Sequence, residues 1–418
     1  MEKSYIDFYY ESAIKDFMIK EFEKKIYYIS EKILSYERIY DQNKIIGVRI
    51  WIEGKYKEDE LRKHITEIIE NEIKGLKNIN NAHVWDKDEI RCANSSEVLK
   101  ECIEKKLVII PGDGQVILGG HLVELFRFFD GVFREISMHL HGCQEYQFPT
   151  LLKTDTLKKV GYFESFPNLL MFVMRLKNEI VNFQSFKQDF EKQNTDILDE
   201  RELMKYCCDA SLGLPPTMCY YVYEMLYGQE VNNYAITAVG KSFRYENKYC
   251  KPFERLWDFT IRETVFLGER SFVKKQVKSY RNYAIKFMEL LNLKGICENA
   301  NDPFFLDHTT KKINVQKMMG SKQELRLRIN EEDTMAIGSF NIHGQFLAKR
   351  FKLYIDKEQK EYAYTGCIGI GLERILFGFL SQYGCEIEKW PNLVKQCIND
   401  SSYISKIIYE ISEGNDGF

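Results

Sequence analysis

The sequence predicts an α+β protein in which an antiparallel sheet is flanked by helices, with a small α+β unit ahead of it. Three observations carry this. The alternating segments YAITAVGKSFRYE and LWDFTIRETVFLG lie close together in the chain, as antiparallel neighbours do. Long helical stretches such as VKKQVKSYRNYAIKFMELLNL follow them. At 418 residues, 44% apolar and 29% charged, the chain has an ordinary globular balance and room for two or three domains.

Taken in order, residues 46–53, IGVRIWIE, alternate like a half-buried strand. The next segment, DELRKHITEIIENEIKGL, places Leu61, Ile65, Ile68, Ile69 and Ile73 on one helical face. A shorter strand candidate, AHVWD, comes next. Around residues 108–120, VIIPGDGQVILGG sets a glycine-rich turn between apolar strands. It lacks the Lys-Ser/Thr of a P-loop and the third glycine of a dinucleotide turn, so it reads as a hairpin or tight turn. The expected division therefore falls here, with an N-terminal α+β domain over 1–108 and a larger domain over 109–418.

Bulk properties narrow the function classes. The net charge of −3 lacks the basic surplus of a protein held chiefly by phosphates, so a nucleic-acid partner would need a local basic face. Eleven cysteines run from Cys92 to Cys397 without a CxxC pair, and the start MEKSYIDFYY has no apolar signal core. Both lead us to expect a reducing, cytoplasmic setting. The apolar run IGIGLERILFGFL is broken by Glu373 and Arg374 and is too short for a bilayer, so no membrane role is expected.

Two segments carry chemistry. The first is Phe243-Arg244-Tyr245-Glu246, a polar loop, then Arg255, Phe259 and Glu263 at four-residue spacing. If these end one strand and form the next, Arg244 and Glu246 share a face, as do Arg255, Phe259 and Glu263. Arginine forks, a ring and carboxylates on one surface can hold a nucleotide; taken alone, a charged hairpin is ordinarily a solvated one. The second segment runs from Thr365 through Cys367, Gly369 and Gly371 to Arg374 at a helix start. Its glycines allow close backbone approach, for a ligand or merely for packing.

Together these segments resemble the class II aminoacyl-tRNA synthetases, whose second motif is fRxE…RxxxFxxxE and whose third is GxGxxR. FFDGVFREISMHLHGCQEYQFPTLL resembles the first motif, with Pro149 as its proline. The resemblance covers roughly 109–418. It is nearest to the zinc-dependent, methanogen-type seryl-tRNA synthetases and their relatives, the amino acid:[carrier protein] ligases, because Pro216-Thr217-Met218-Cys219 has a cysteine where ordinary seryl enzymes have a glutamate. The resemblance implies that Cys219, Glu263 and Cys367 hold Zn²⁺, an open set of three protein ligands suited to a functional site. It further implies Arg244 on the α-phosphate of ATP, Arg255 and Arg374 on the γ-phosphate, Phe259 against adenine, and Glu246 at the adenine or the amino acid. Arg244 and Arg374 would be the catalytic pair and Glu324 would line the amino-acid pocket. Cys143 is expected to be a packed cysteine. ATP use implies Mg²⁺, yet Ala336 stands where the seryl family has a magnesium-binding glutamate.

The expected activity is therefore formation of an aminoacyl-adenylate from ATP and a small amino acid, in a homodimer. No long N-terminal coiled coil for tRNA is visible, and FESFPNLLMFVMRL and the compact C-terminus look more like the carrier-protein ligases. The favoured acceptor is accordingly the phosphopantetheine thiol of a carrier protein. Charging of tRNA is the alternative, and a non-catalytic synthetase paralogue the third.

Overall fold

The computed structural model describes residues 3–10, 14–54, 57–76, 83–87, 94–191, 199–300 and 321–413; Cys92 lies outside them. Near the N-terminus, β1 (Lys3–Tyr9), β2 (Ile33–Asp41) and β3 (Lys44–Glu53) form an antiparallel sheet in the order β1-β3-β2. Val48, Ile50 and Ile52 alternate onto one face, where they meet Leu61, Ile65, Ile69 and Ile73 of the helix Glu58–Ile68 and its π-helical continuation Ile69–Ile73. The period-2 and period-3.6 patterns thus close on each other as a separate small core.

The rest of the chain adds β4 (His83–Lys87), a hairpin of β5 (Val108–Ile109) and β6 (Ile117–Leu118), and β7 (Gln144–Glu145). A three-stranded sheet follows, made of β8 (Leu152–Lys153), β9 (Phe172–Leu176) and β10 (Cys207–Gly213) in the order β8-β10-β9. Then come β11 (Tyr234–Phe243), β12 (Asp258–Gly268), β13 (Gly295–Asn299), β14 (Lys322–Arg328) and β15 (Thr334–Gly344). A ribbon of β16 (Tyr354–Asp356) and β17 (Glu361–Tyr362) precedes β18 (Tyr364–Gly371).

Eight of these strands build the large sheet in the order β4-β13-β14-β15-β18-β12-β11-β7. All neighbours are antiparallel except β7 with β11. The sheet therefore takes its first edge strand from the N-terminal side of residue 108. Its order also sets β12 beside β18, although a long stretch of sequence separates them.

Side-chain alternation divides the sheet's two faces. Phe266, Phe340, Ile368 and Ile370 point into a core with the helices His121–Glu135, Arg270–Leu290 and Leu372–Tyr383. Val265 and Cys367 point to the other face, with Cys219, Val222 and Tyr223. Arg262, with its side chain 1% exposed, lies on the helix-covered face and pairs with Asp130 at 2.7 Å and Glu145 at 2.9 Å. Its neighbour Glu263 consequently faces the opposite way.

The GDG turn is a hairpin loop, as expected. Gly114 has φ +65°, and a Cβ there would lie 2.2 Å from the Trp257 ring. Its carbonyl accepts from the Trp257 amide at 2.8 Å, which anchors the residue preceding β12.

Candidate active site

Three elements converge at the middle of the sheet. Cys219 opens the helix Cys219–Met225, Glu263 lies on β12 and Cys367 on β18. Glu263 pairs with Gly369, two residues after Cys367, so the two side chains share a face on adjacent strands. One ligand atom from each of Cys219, Glu263 and Cys367 lies within 4.8 Å of the other two, and all three residues are buried.

The carboxylate is held from two sides. Thr217 Oγ1 donates to Oε1 and Oε2 of Glu263 at 2.6 and 2.8 Å, and the Cys219 amide donates to Oε2 at 2.8 Å. Burial pushes Glu263 up to about 7, with the charge of Cys367 adding to the rise. Burial pushes the Cys219 thiol well up too, while a hydrogen bond from Cys219 holds Cys367 well down. Three acidic donors in one dry place are unfavourable without a cation. Two sulfurs and one carboxylate oxygen at this spacing fit a divalent ion of zinc's preferences.

Around Cys367, Asn341 Nδ2 approaches Sγ at 3.6 Å and His343 Nε2 does so at 3.6 Å. Both come from β15, which pairs with β18.

The same cavity, about 1360 Å³, extends to Arg244, Glu246, Phe259, Glu324 and Arg374. The Arg244 guanidinium lies 5.3 Å from the centre of the Phe259 ring and donates to the Pro216 carbonyl through Nε and Nη2 at 3.2 Å each. Arg255 Nη1 pairs with Glu246 Oε2 at 3.0 Å. Arg374, at the start of the helix Leu372–Tyr383, donates to the carbonyls of Glu254 at 2.6 Å and Ala336 at 3.2 Å. Burial pushes Arg374 down to about 10, with Arg255 lowering it further; it stays charged near neutrality. Arg244 and Arg374 both line the cavity, and two guanidiniums so placed suit a polyphosphate.

The expectation of two facing strands holds for Phe259 and Glu263. Arg244, Glu246 and Arg255 instead lie in the connection between β11 and β12. The ladder ends because the backbone turns out through the 3₁₀ turn Asn247–Tyr249 and the positive φ of 61° at Phe253. Loop contacts, not strand parity, therefore aim those three residues.

Glu324 stands on β14 opposite Ser339. Its burial is outweighed by Lys322 and Arg326, which leave the carboxyl below its usual range. Ala336 lines the cavity, as expected of its position, and contributes a backbone carbonyl to Arg374. Cys143 is packed in the helix-side core, apart from the convergent sulfurs.

Sequence reasoning missed Thr217, although it sits within the loop that drew attention to Cys219. It also missed Glu373, noted only as a break in an apolar run. Glu373 accepts from the Thr260 amide at 2.8 Å and from its hydroxyl at 2.9 Å, tying the helix Leu372–Tyr383 to β12.

Residues 206–383 match the tRNA synthetase class II core domain (G, H, P, S and T). Over these residues the chain resembles a class II synthetase core domain. The type-2 serine–tRNA ligase of Methanococcus maripaludis is a homologue, 29% identical over 309 residues, which are 71% of this chain and 59% of that protein. The chain thus spans about three fifths of the length of the curated relatives it matches. The chain also shares its fold with Methanopyrus kandleri seryl-tRNA synthetase, solved in complex with A. aeolicus tRNASec. That match has a TM-score of 0.68 at 19% identity and covers 96% of this chain and 78% of the other. Seryl-tRNA synthetase of Pyrococcus horikoshii, complexed with ATP, matches at TM-score 0.56 and 12% identity, over 82% of this chain and 78% of that one.

These relatives correct one expectation. The sequence favours transfer to the phosphopantetheine of a carrier protein because no coiled coil for tRNA is visible and FESFPNLLMFVMRL and the compact C-terminus look more like the carrier-protein ligases. The homologues are serine–tRNA ligases by name, and the synthetase with the matching fold was solved with tRNA. The carrier-protein acceptor is therefore withdrawn. Among the described residues no helix is long and apolar enough to cross a membrane.

Proposed function

We propose that the chain activates serine with ATP and transfers the seryl group to a tRNA 3′ end. The observation that carries this is the convergence of Cys219, Glu263 and Cys367 in the same cavity as Arg244 and Arg374. Activation is attack by a serine carboxylate oxygen on the α-phosphorus of ATP. A new P–O bond forms there, the bond to the β-phosphate oxygen breaks, and pyrophosphate leaves. Arg244 neutralises charge at the α-phosphate, and Arg255 and Arg374 hold the γ-phosphate. Phe259 stacks on adenine, Glu246 serves the adenine or amino-acid end, and Glu324 faces the amino acid. Rate comes from alignment and charge neutralisation, with no covalent intermediate on the protein.

Cys219, Glu263 and Cys367 would hold a zinc ion, whose remaining position supplies a Lewis-acid anchor for the amino group of the substrate. Thr217 and the Cys219 amide keep the Glu263 carboxylate turned toward it. Magnesium would accompany ATP, bound without a side chain from Ala336.

We further propose a homodimer built through the helix His121–Glu135 and the Pro149 segment, which sedimentation of the purified chain tests. The division into an N-terminal domain and a catalytic domain is likewise a proposal, with the N-terminal unit docking the acceptor RNA. A chain lacking residues 1–76 should keep adenylate formation and lose transfer; unchanged transfer would end that idea.

ATP–pyrophosphate exchange with each amino acid tests activation, and serine should give the strongest signal. Labelled serine should then become attached to tRNA. Absence of exchange with every amino acid overturns the proposal and leaves a non-catalytic paralogue.

A further inference from the structure

The residue next to the three convergent donors is placed by an irregularity of the sheet. β15 pairs with β18 in register from Gly338 to Ile342, and the register then shifts so that Gly344, with φ +63°, faces Thr365. His343 is the extra residue of this bulge. Bulges re-aim a side chain without ending the strand, and they recur beside active sites. Here the bulge sets the His343 ring along β18, with Nε2 3.6 Å from Cys367 Sγ and Nδ1 3.5 Å from Thr365 Oγ1.

The donor inventory fixes the direction of these contacts once Cys367 binds a metal. A metal-bound cysteine is a thiolate and can only accept. For His343 to donate to that sulfur, Nε2 carries the hydrogen, and Nδ1 of the neutral ring is then an acceptor facing the Thr365 hydroxyl, which also has the Gly344 carbonyl at 3.4 Å. Asn341 Nδ2, 3.6 Å from the same sulfur, is a donor in any case.

We propose that His343 is a positioning residue for the metal-binding sulfur: it donates Nε2–H to Cys367 Sγ, with Thr365 holding the ring in that tautomer. This rests on the zinc site proposed above. The hydrogen bond orients the thiolate and draws charge from it, so a bound cation keeps more of its own charge for the substrate's amino group.

The test uses the full-length chain loaded with Co²⁺ or Zn²⁺ alone. A hydrogen bond to sulfur lowers its lone-pair energy, so losing it moves the thiolate-to-cobalt charge-transfer band to longer wavelength. His343→Phe should show that shift and bind Zn²⁺ about tenfold or more weakly in competition with a chromophoric chelator. His343→Gln, which keeps an N–H near Nε2, should restore the band. Thr365→Val, which keeps the shape of the side chain, should shift it as His343→Phe does. If wild type binds Zn²⁺ while His343→Phe matches it in band and affinity, the positioning role is wrong and the metal site stands. Equal shifts in His343→Phe and His343→Gln mean a packing effect and also overturn it. A wild-type chain that binds neither ion overturns both.

Discussion

The backbone amide of Cys219 donates to Oε2 of Glu263 at 2.8 Å, so one proposed metal ligand orients another before any ion arrives. Cys219→Ser, Glu263→Gln and Cys367→Ser should each reduce zinc from about one per chain to near zero by elemental analysis. Serine-dependent pyrophosphate exchange should fall with it.

Thr217 shares the task of holding that carboxylate through bonds of 2.6 and 2.8 Å. Thr217→Val keeps the shape and removes the hydroxyl. Hydrogen bonds to charged groups contribute about 1.5–3 kcal/mol, so zinc affinity should fall roughly tenfold to a hundredfold. A chelator titration indistinguishable from wild type would remove Thr217 from the site.

Arg374 meets the Glu254 and Ala336 carbonyls with two different nitrogens, a fork that lysine cannot copy. Arg374→Lys should slow pyrophosphate exchange by roughly a hundredfold to a thousandfold with an unchanged far-ultraviolet spectrum. Exchange within about twofold of wild type would contradict the role given to the fork.

Arg262 works on the face of β12 opposite Glu263, bound to Asp130 and Glu145. Arg262→Met removes the cation and leaves both acids in place. Breaking a buried pair this way destabilises by about 3–5 kcal/mol; because the two acids are 23% and 30% exposed, the low end is expected. A lower urea midpoint at unchanged slope would report it.

His141 gives a pH dependence. It is buried among Phe266, Tyr280 and Tyr283, and its Nδ1 meets Gln276 Oε1 at 2.5 Å. Burial pushes its pKa down to about 4, whereas the unfolded imidazole titrates near about 6.5. Below that value the unfolded chain takes up the proton first. Stability is thus fully present above about pH 6.5 and declines to a plateau near pH 4, with a total on the order of 3 kcal/mol. His141→Gln should flatten this part of the stability profile relative to wild type; parallel profiles would exclude the residue as its source.

How far the chain could be read follows from how each feature is encoded. Val48, Ile50 and Ile52 alternate because one sheet face is buried, and alternation survives in one dimension. Glu263 and Cys367 are singled out by the family resemblance, yet their shared face depends on β12 lying beside β18, a fact of topology. The aim of Arg244, Glu246 and Arg255 was misjudged because strand parity was extended past the strand ends into loop contacts. The bulge at His343 leaves no trace in the alternation, since the register shift exists only relative to its partner. The acceptor was misjudged for a similar reason: which partner docks is a property of surfaces assembled from distant segments, whereas the chemistry of activation sits in short motifs.

The scattered origin of the three donors has a kinetic consequence. A helix start and two neighbouring strands must be in place before the sulfurs and the carboxylate are within mutual reach, and closing such long loops is slow for an unfolded chain. The proposed ion would therefore meet a finished cradle and act as a late-arriving lock, slowing unfolding without nucleating refolding. Chains made in metal-starved cells should consequently accept their ion afterwards, without passing through denaturant.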